Sequence, residues 1–454
     1  MSFPKSFTWG AAAASYQIEG AAKQGGRGPD VWDMLCREPG RIEDGHNGDV
    51  GTDHYNRLEG DLDLFQQIGL QAYRFSISWT RILPEGVGRV NEIGLDFYDR
   101  LVDGMLARNI TPWATLFHWD YPLALYCRGG WLNRNSIDWF AEYTQVVTER
   151  LGDRVQNWMT QNEPQCFVGL GHGGGGHAPG LKYHWPELLR TAHHALVAHG
   201  ESVKIIRANC PQSHIGAAPV ACVSLPETES AEDIRAAYEA TFSVTDKTLW
   251  KTHLFADPMV LGHYPDDALK VFAEDLEGTI LDGDMERIHQ PLDFFGFNIY
   301  NGQRVKAGPD GKAVSVTATP GHPATTMHWR VEPTCMYWAT KWFHERYKLP
   351  VVITENGLAN NDWVHLDGKV HDPQRIDFTH RYLLELHRAI EDGAQVDAYF
   401  HWSVMDNFEW ALGYNRRFGL IHVDYGTLVR TLKESAHWYR GVIESNGEAL
   451  LGRV

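Results

Sequence analysis

Two glutamates at the ends of apolar, strand-like runs are the first candidates for chemistry in this sequence. Glu163 ends VQNWMTQNE (155–163), and Glu355 lies near the end of LPVVITEN (349–356). Pro164 stops the first run directly after its glutamate, because proline cannot donate a hydrogen bond to a β-ladder. A single carboxylate at a strand end is usually solvated or paired with an arginine. Two carboxylates that meet at one site can divide acid and base roles between them.

Further polar and aromatic side chains lie in these and other strand-like runs or shortly after them. In chain order they are Gln17, Arg74, His118, Trp119, Asn162, Asn298, Tyr300 and Trp402. The carboxyl ends of parallel strands meet at one rim when a sheet closes into a barrel, so these side chains would share a site. Carboxylates beside an arginine, amides and tryptophans suit glycosidic bond cleavage. There the leaving oxygen needs a proton and the oxocarbenium-like carbon needs an anion.

Eight short apolar runs predict the strands that would position these residues. They are residues 7–14, 71–78, 111–119, 155–163, 213–224, 292–300, 349–356 and 396–405. They lack clean alternation, which is typical of parallel strands covered on both faces. Strands that alternate with helices predict an α/β fold, a single catalytic (β/α)₈ TIM barrel domain over residues 1–454. An open doubly wound sheet is the alternative, but no GxGxxG follows the first run and no linker divides the chain.

Amphipathic patterns predict helices between most of the strands. The clearest cover residues 55–68, 94–108, 136–151, 186–207 and 373–391. The last should begin with Asp372 as its N-cap and Pro373 in its first turn. The longest irregular stretches, 15–50 and 301–335, follow strand runs. In a barrel they would be long rim loops beside the site.

Composition limits the partners and the compartment of the protein. The net charge is −17, and such a chain repels phosphate backbones, so we expect no nucleic-acid partner. No run resembles a signal peptide or has the length to span a bilayer, so we expect no membrane association. The six cysteines form no CxxC pair, which favours free thiols and a cytoplasmic location. The sequence contains no indication of an oligomeric state.

Four segments, in order along the chain, resemble the motifs of family 1 glycoside hydrolases, the β-glucosidase family. They are FTWGAAAASYQIEGA (7–21), MTQNEP (159–164), VVITENGLA (351–359) and HWSVMDNFEWALGYNRRFGLIHVDY (401–425). The similarity extends from Phe7 to about Trp438, nearly the whole chain. The resemblance implies a retaining hydrolase on a (β/α)₈ barrel, with small-molecule β-glycosides such as cellobiose-like disaccharides and aryl glucosides as substrates and glucose as product.

The resemblance also implies a role for each candidate residue. Glu163 would be the acid/base and Glu355 the nucleophile, with Arg74 and Tyr300 in contact with the nucleophile and Asn298 close by. The substrate-binding residues would be Gln17, His118, Trp119, Asn162, Trp329, Trp402, Glu409, Trp410 and Phe418. Trp402 would form the floor under the non-reducing sugar, and Trp329 would face the leaving group. Without the motifs, His118 could equally be a buried core histidine, Trp402 a packing residue and Arg74 a structural ion-pair partner.

The implied pair of glutamates explains how one residue serves first as acid and then as base. A retaining enzyme holds its two carboxyl groups about 5–5.5 Å apart. At an effective dielectric near 20, two like charges at that separation repel by roughly 3 kcal/mol, or about 2 pKa units. The ionised Glu355 therefore keeps the proton on Glu163. Formation of a glycosyl ester removes that charge, and Glu163 can then ionise and activate water.

Several residues depart from the family pattern. They are Gln161, Cys166, His328, Cys335 and Met336. We expect all of them near the rim or on the leaving-group side, where they would affect the preference for the leaving group and not the reaction type.

The sequence leaves alternative functions open, and the residues of the site distinguish between them. A 6-phospho-β-glycosidase would carry serine at 409 and a nearby lysine, whereas this chain has Glu409. A thioglucosidase would carry glutamine at 163, and a non-catalytic sugar-binding barrel would lack one or both glutamates.

His193, His194 and His199 lack the HExxH spacing and are expected to be surface or packing residues. We expect no metal and no cofactor.

Overall fold

The computed structural model describes residues 2–451, and its centre is a closed barrel of eight parallel strands. The strands are β1 Thr8–Ala12, β2 Ala72–Ser76, β3 Thr111–Phe117, β4 Asn157–Asn162, β5 His214–Ala218, β6 Phe294–Asn298, β7 Val351–Asn356 and β8 Val396–Trp402. Each strand pairs with the next along the chain, and β8 pairs with β1 to close the ring. The predicted (β/α)₈ barrel fold is confirmed.

Every predicted run contains a barrel strand, but the fifth strand is much shorter than its run. Of residues 213–224, only His214–Ala218 form the continuous barrel strand, and Val220 adds one isolated bridge to Asn298 of β6. Pro219 follows at once and cannot continue the ladder. Ser224–Pro226 belong to a separate sheet with Gln303–Ala307, because apolar content alone does not tell a barrel strand from a rim strand.

Helices cover the outside of the barrel. The long ones are His54–Ile68, Glu92–Ala107, Ser136–Leu151, Trp185–Asn209, Thr334–Tyr347, Pro373–Glu391 and Glu434–Glu444. Between β5 and β6 lie Ala231–Thr241, Thr252–Val260, Asp266–Val271 and Asp284–Ile288. Among residues 2–451 no helix has the length and the apolar character needed to cross a bilayer.

The predicted cap of the helix Pro373–Glu391 is wrong in one respect. Asp372 is the residue that precedes the helix, but its side chain makes no cap hydrogen bond. Its carboxylate instead accepts from the backbone N–H (2.9 Å) and hydroxyl (2.6 Å) of Ser435 and pairs with Arg375. The helix start is thus fixed by tertiary contacts, which the local sequence does not reveal.

Short elements lie in the connecting loops and after the last helix. They are the helices Ser15–Ile18, Val31–Leu35, Trp79–Ile82, Leu123–Tyr126 and Pro164–Val168, the 3₁₀ turns Glu43–Gly45, Gly130–Leu132, Trp410–Leu412 and Glu448–Leu451, the π-helical turn Gly169–Gly174, and the strands Ala313–Ser315, Ile421–Val423 and Arg430–Leu432. The longest loops join β1 to the helix at His54 and β6 to the helix at Thr334, as the sequence predicts.

Side chains fill the interior of the barrel below the rim. The ring of Trp113 lies 5.5 Å from that of Phe294 and 5.0 Å from that of Phe400, centroid to centroid. Gly10 faces this layer, where a Cβ atom would lie 2.6 Å from the Phe400 ring and 2.8 Å from the Ala72 carbonyl oxygen. The packed interior closes the lower part of the barrel, so a site can form only at the rim.

A buried charge network holds the segment between β8 and the last helix. The Lys433 ammonium donates to Asp362 and to Asp406, each at 2.6 Å, and is fully buried. Asp406 also accepts from Arg417 at 2.6 Å and from the backbone N–H of Gly419 at 3.0 Å. Because residues 406–419 include Glu409, Trp410 and Phe418, this network supports one wall of the rim.

Lys433→Ala should lower the free energy of unfolding by about 3–5 kcal/mol, because Asp362 and Asp406 lose the buried cation that they share, and Arg375 and Arg417 alone leave the network with one uncompensated negative charge. Arg381→Ala is the matched control, since Arg381 pairs with Asp377 on an exposed helix face and should cost less than about 1 kcal/mol. Urea unfolding followed by circular dichroism measures both. An equal, small loss in the two variants would contradict the structural role given to the network.

Candidate active site

Glu163 stands where β4 ends and the chain turns. Its backbone adopts a left-handed conformation (φ 47°), and its N–H donates to the Ala218 carbonyl of β5 at 2.8 Å. Left-handed backbone costs a non-glycine residue about 1–3 kcal/mol and persists only when its surroundings impose it. The Glu163 carboxylate accepts a hydrogen bond from the Asn298 amide at 2.8 Å and lines the cavity at the rim.

Glu355 lies in β7 and is held by two donors. The Arg74 guanidinium donates to its Oε1 at 2.7 Å, and the Tyr300 hydroxyl donates to its Oε2 at 2.7 Å. Arg74 is 1% exposed, so this ion pair is shielded from water. Both contacts favour the ionised carboxylate.

A web of amides joins the two glutamates. Asn162 Oδ1 accepts from Arg74 at 2.6 Å and from the Asn298 amide at 3.0 Å. Asn298 in turn accepts from the Thr354 hydroxyl at 2.6 Å, which leaves its amide nitrogen to donate to Asn162 and Glu163. The orientation of each carboxyl group therefore depends on residues of β2, β4, β6 and β7 together.

The two glutamates have different proton affinities. Burial, and after it the nearby charge of Glu355, raise the pKa of Glu163 to about 7, while Asn298 and Arg74 oppose the change. Burial also raises the pKa of Glu355, but the charge of Arg74 and the Tyr300 hydrogen bond act against it. Because Arg74 and Tyr300 favour the ionised form of Glu355, a proton that the two glutamates share is favoured on Glu163.

His118 is a neutral hydrogen-bonding group beside this pair. Burial and the charge of Arg74 hold its pKa well below the usual value. Its Nε2 lies 3.0 Å from the Asn162 amide nitrogen, which must be the donor because Asn162 Oδ1 accepts elsewhere. The proton of His118 is therefore on Nδ1. The imidazole lies nearly parallel to the Trp402 indole, with centroids 5.8 Å apart.

Trp119 and Trp410 form one side of the cavity. Their rings lie 4.5 Å apart, and both residues have left-handed backbone conformations (φ 80° and 48°). The Trp119 indole N–H donates to the Asn162 carbonyl at 2.9 Å, so it also fixes the residue before Glu163. Trp329 lies across the cavity, 5.1 Å from the Tyr300 ring and 6.3 Å from Phe418.

Gln17 and Glu409 each present a buried side-chain oxygen that has no hydrogen-bond partner among residues 2–451. The Gln17 amide donates to Asn407 Oδ1 at 3.0 Å and to the Phe408 carbonyl at 2.9 Å, while its own Oε1 finds no partner among residues 2–451. Within the same described chain, Glu409 Oε2 is also buried without a partner. Burial, and after it the charges of Glu355 and Glu163, raise the pKa of Glu409 to about 8. The unpartnered oxygen of Gln17 can accept from a hydroxyl of a ligand, and the carboxyl of Glu409 can accept from or, when protonated, donate to one.

One cavity of about 950 Å³ connects these groups. Ten of the candidate residues line it directly: His118, Trp119, Glu163, Tyr300, Trp329, Glu355, Trp402, Glu409, Trp410 and Phe418. Gln17, Arg74, Asn162 and Asn298 are fully or almost fully buried; the last three bond to residues that line the cavity, whereas Gln17 bonds to Asn407 and Phe408. The described residues contain no group of three or more His, Cys, Asp or Glu side chains arranged to hold a metal ion.

Comparison with known proteins identifies the family. The model for glycosyl hydrolase family 1 matches residues 1–448. The chain belongs to this family. A 1,4-β-D-glucan glucohydrolase of Thermotoga neapolitana is 45% identical over 447 residues, which is 98% of this chain and 99% of the relative. A bifunctional β-D-glucosidase/β-D-fucosidase of Bifidobacterium breve is 41% identical over 98% of each chain.

A solved structure of the family has the same fold. The β-glucosidase of Thermotoga maritima in complex with deoxynojirimycin superposes with a TM-score of 0.90 at 44% identity, over 98% of this chain and 99% of that one. The resemblance inferred from the sequence motifs is therefore confirmed.

The departing residues differ in whether they reach the cavity. Cys335 and Met336 are fully buried in the first turn of the helix Thr334–Tyr347 and do not line the cavity. Gln161 points out of the barrel and donates to the Ala195 carbonyl of a covering helix at 2.8 Å. Cys166 and His328 do line the cavity, as expected.

Other residues line the cavity without any signal in the sequence to select them. His177 packs 5.5 Å from the Trp119 ring, and Trp250 lies on the opposite part of the cavity wall, after β5. Both lie in segments without a recognised motif, so only the folded chain reveals them. His193, His194 and His199 are buried packing residues; His193, for example, bonds to Asp284 at 3.0 Å.

Glu355→Gln should lower the pKa of Glu163 from about 7, because it removes a negative charge and leaves the burial of Glu163 in place. Carbon-13 NMR titration of the carboxyl groups measures this change. Asp377→Asn is the control, since it removes an exposed carboxylate outside the cavity. A Glu163 pKa that is the same in the Glu355→Gln variant and in the unaltered protein would show that the two carboxyls are not coupled.

Proposed function

We propose that the protein is a retaining β-glucosidase with Glu163 as acid/base and Glu355 as nucleophile. It removes terminal non-reducing β-D-glucosyl residues, and also β-galactosyl and β-fucosyl residues, from oligosaccharides and from aryl and alkyl glycosides. The observation that carries the proposal is a pair of buried glutamates in one cavity, with Glu355 held by Arg74 and Tyr300 and Glu163 held by Asn298. Membership of the family supports the same reaction.

In the first step the Glu355 carboxylate attacks the anomeric carbon from below the sugar plane. A bond forms between a carboxylate oxygen and C1, while the bond from C1 to the leaving oxygen breaks. Glu163 gives its proton to that oxygen, so the leaving group departs as a neutral alcohol. The products of the step are a glycosyl ester on Glu355 and an ionised Glu163.

The second step reverses the role of Glu163. The ester carries no charge, so the repulsion that kept Glu163 protonated has disappeared and its carboxylate is stable. Glu163 takes a proton from water as the water oxygen bonds to C1 and the ester bond breaks. Glu355 returns as a carboxylate, Glu163 is protonated again, and the sugar leaves with its original configuration.

Arg74, Tyr300 and Asn298 prepare the pair for these steps. Arg74 and Tyr300 stabilise the charge that Glu355 must carry before attack. Tyr300 donates a hydrogen bond to one carboxylate oxygen of Glu355, and Arg74 donates to the other. Together they fix the orientation of the carboxylate. Asn298 binds Glu163 and keeps its carboxyl group in the cavity. These groups are fixed before the substrate arrives, so little reorganisation is needed at the moment of reaction.

We place the non-reducing sugar against His118, Trp119, Trp402, Glu409 and Trp410. These residues follow β3 and β8, and Gln17 follows β1 between them in the ring. Trp402 offers a flat face for the sugar ring. The His118 Nδ1–H, the remaining Asn162 amide proton and the unpartnered oxygens of Gln17 and Glu409 can bind sugar hydroxyls.

The alternatives fit the site less well. A 6-phosphorylated sugar would bring two negative charges to a cavity that disfavours them, since burial and neighbouring carboxylates raise the pKa of Glu163 and of Glu409 there, while the cations Lys251 and Arg330 lie after β5 and β6. A non-catalytic sugar-binding barrel does not need two coupled carboxyls at the rim. A preference that includes β-fucosides is supported by the bifunctional relative in Bifidobacterium breve.

We further propose that the whole chain acts as one catalytic domain in the cytoplasm, with no cofactor. The barrel closes with strands from both ends of the chain, since β1 pairs with β8. All six cysteines are free, as expected of a reducing compartment. Small-molecule β-glycosides are then its partners.

Glu355→Ala should lose hydrolysis of 4-nitrophenyl β-glucoside by at least about 10⁴-fold, since no covalent intermediate can form. Azide should restore turnover and yield the glycosyl azide of inverted configuration, because a small anion then attacks from the side that Glu355 occupied. NMR of the product gives its configuration. A product of retained configuration would reverse the roles of the two glutamates.

Glu163→Ala should reduce kcat/KM far more for alkyl β-glucosides than for dinitrophenyl β-glucoside, because an activated phenolate leaves without a proton. The basic limb of the pH profile, which reflects the Glu163 pKa of about 7, should disappear in this variant. Rates across a series of leaving groups test both points. Equal losses for all leaving groups would rule out Glu163 as the acid.

A further inference from the structure

The two glutamates divide the ring of strands into unequal arcs. Glu163 follows β4 and Glu355 lies in β7, so β5 and β6 form a short arc between them, while β8, β1, β2 and β3 form the long arc. The proposed sugar site uses the ends of β8, β1 and β3, which all belong to the long arc. The leaving group must lie on the other side of the scissile bond, towards the short arc.

The cavity extends well into the short arc. The loop after β5 contributes residues 220–224, Asp246, Thr248, Trp250 and Lys251, and the loop after β6 contributes residues 301–303 and 327–330. At about 950 Å³ the cavity is near the upper end of the range of about 300–1,000 Å³ for small-molecule sites. One hexose against the long arc leaves this part of the cavity for further groups of the substrate.

Trp250 is the large flat side chain of the β5 loop. Its side chain remains 42% exposed although it lines the cavity. The backbone around it is fixed, because the Trp250 N–H bonds to the Thr248 hydroxyl at 3.1 Å and the Lys251 ammonium bonds to the Ala240 carbonyl at 2.6 Å. The next residue, Thr252, donates to the Val220 carbonyl at 2.9 Å. A rigid backbone thus presents an exposed aromatic face.

The neighbours of Trp250 are mostly polar. Asp246, Thr248 and Lys251 line the cavity beside it, and Gln303 and Arg330 line it from the β6 loop. A flat aromatic face with donors and acceptors around it matches a sugar ring, which has apolar C–H faces and hydroxyl edges. A purely aryl leaving group would leave these polar groups without partners.

We propose that Trp250 is a platform for the leaving-group sugars of β-linked gluco-oligosaccharides, and that it makes longer chains better substrates. This inference rests on the proposed function and adds the substrate class that the short arc selects. Trp250 is a specificity-determining residue and takes no part in proton transfer or nucleophilic attack.

The test compares cellotetraose with 4-nitrophenyl β-glucoside in the full chain. Trp250→Ala should lower the ratio of kcat/KM for cellotetraose to that for the nitrophenyl glucoside at least tenfold, and Trp250→Phe should restore most of that ratio. Trp363→Ala is the matched control, because Trp363 is 60% exposed and lies outside this cavity. It should keep the ratio of the unaltered protein.

Three outcomes would overturn the role of Trp250. They are equal losses on both substrates in Trp250→Ala, an unchanged ratio in that variant, and an unaltered protein that cleaves the nitrophenyl glucoside but not cellotetraose. Absence of turnover on both substrates in the unaltered protein would instead refute the proposed function.

Discussion

The ion pair between Arg74 and Glu355 is the interaction on which the site depends. It takes two charges out of water, which is costly unless every remaining hydrogen-bonding position is satisfied. The protein meets that condition with the Tyr300 hydroxyl on Glu355 and with Asn162 on Arg74. As a consequence the ionised form of Glu355 is favoured in a buried position. Burial, and after it the charge of Glu355, raises the pKa of Glu163.

The barrel makes this arrangement possible because it brings distant parts of the chain to one rim. Arg74, Asn162, Asn298 and Glu355 come from four different strands, and each is oriented by a neighbour on another strand. The backbone departs from its preferred conformations where the site requires it, at Trp119, Glu163 and Trp410. Outside the barrel, the buried Lys433 network secures the segment that carries Glu409 and Trp410. Stability of the rim and chemistry at the rim are therefore linked through side chains that never touch a substrate.

The barrel fold and the two glutamates could be predicted from the sequence. The length of β5 and the burial of some residues could not. Strand runs such as 349–356 begin with consecutive apolar residues and lack polar alternation, so their place in a covered parallel sheet was predictable, and four ordered motifs placed Glu163 and Glu355. The short β5 was not predictable, because nothing in 213–224 except Pro219 marks where pairing stops. The burial of Cys335 and Met336 was missed, since a comparison of motifs gives a position in the chain and not a direction in space.

The side-chain contacts within the site could not be predicted from the sequence. Composition cannot show that Trp119 fixes Asn162, that His118 carries its proton on Nδ1, or that Trp250 reaches the same cavity as Glu163. These relations depend on side-chain packing between residues far apart in the chain. The central claim is that Glu355 is the group that bonds to the sugar. It can be tested by incubation with a 2-deoxy-2-fluoro-β-glucoside that has a good leaving group, followed by proteolysis and mass spectrometry of the peptides. We expect one added fluoroglucosyl group on the peptide at Glu355, whereas an adduct on the Glu163 or Glu409 peptide would contradict the claim.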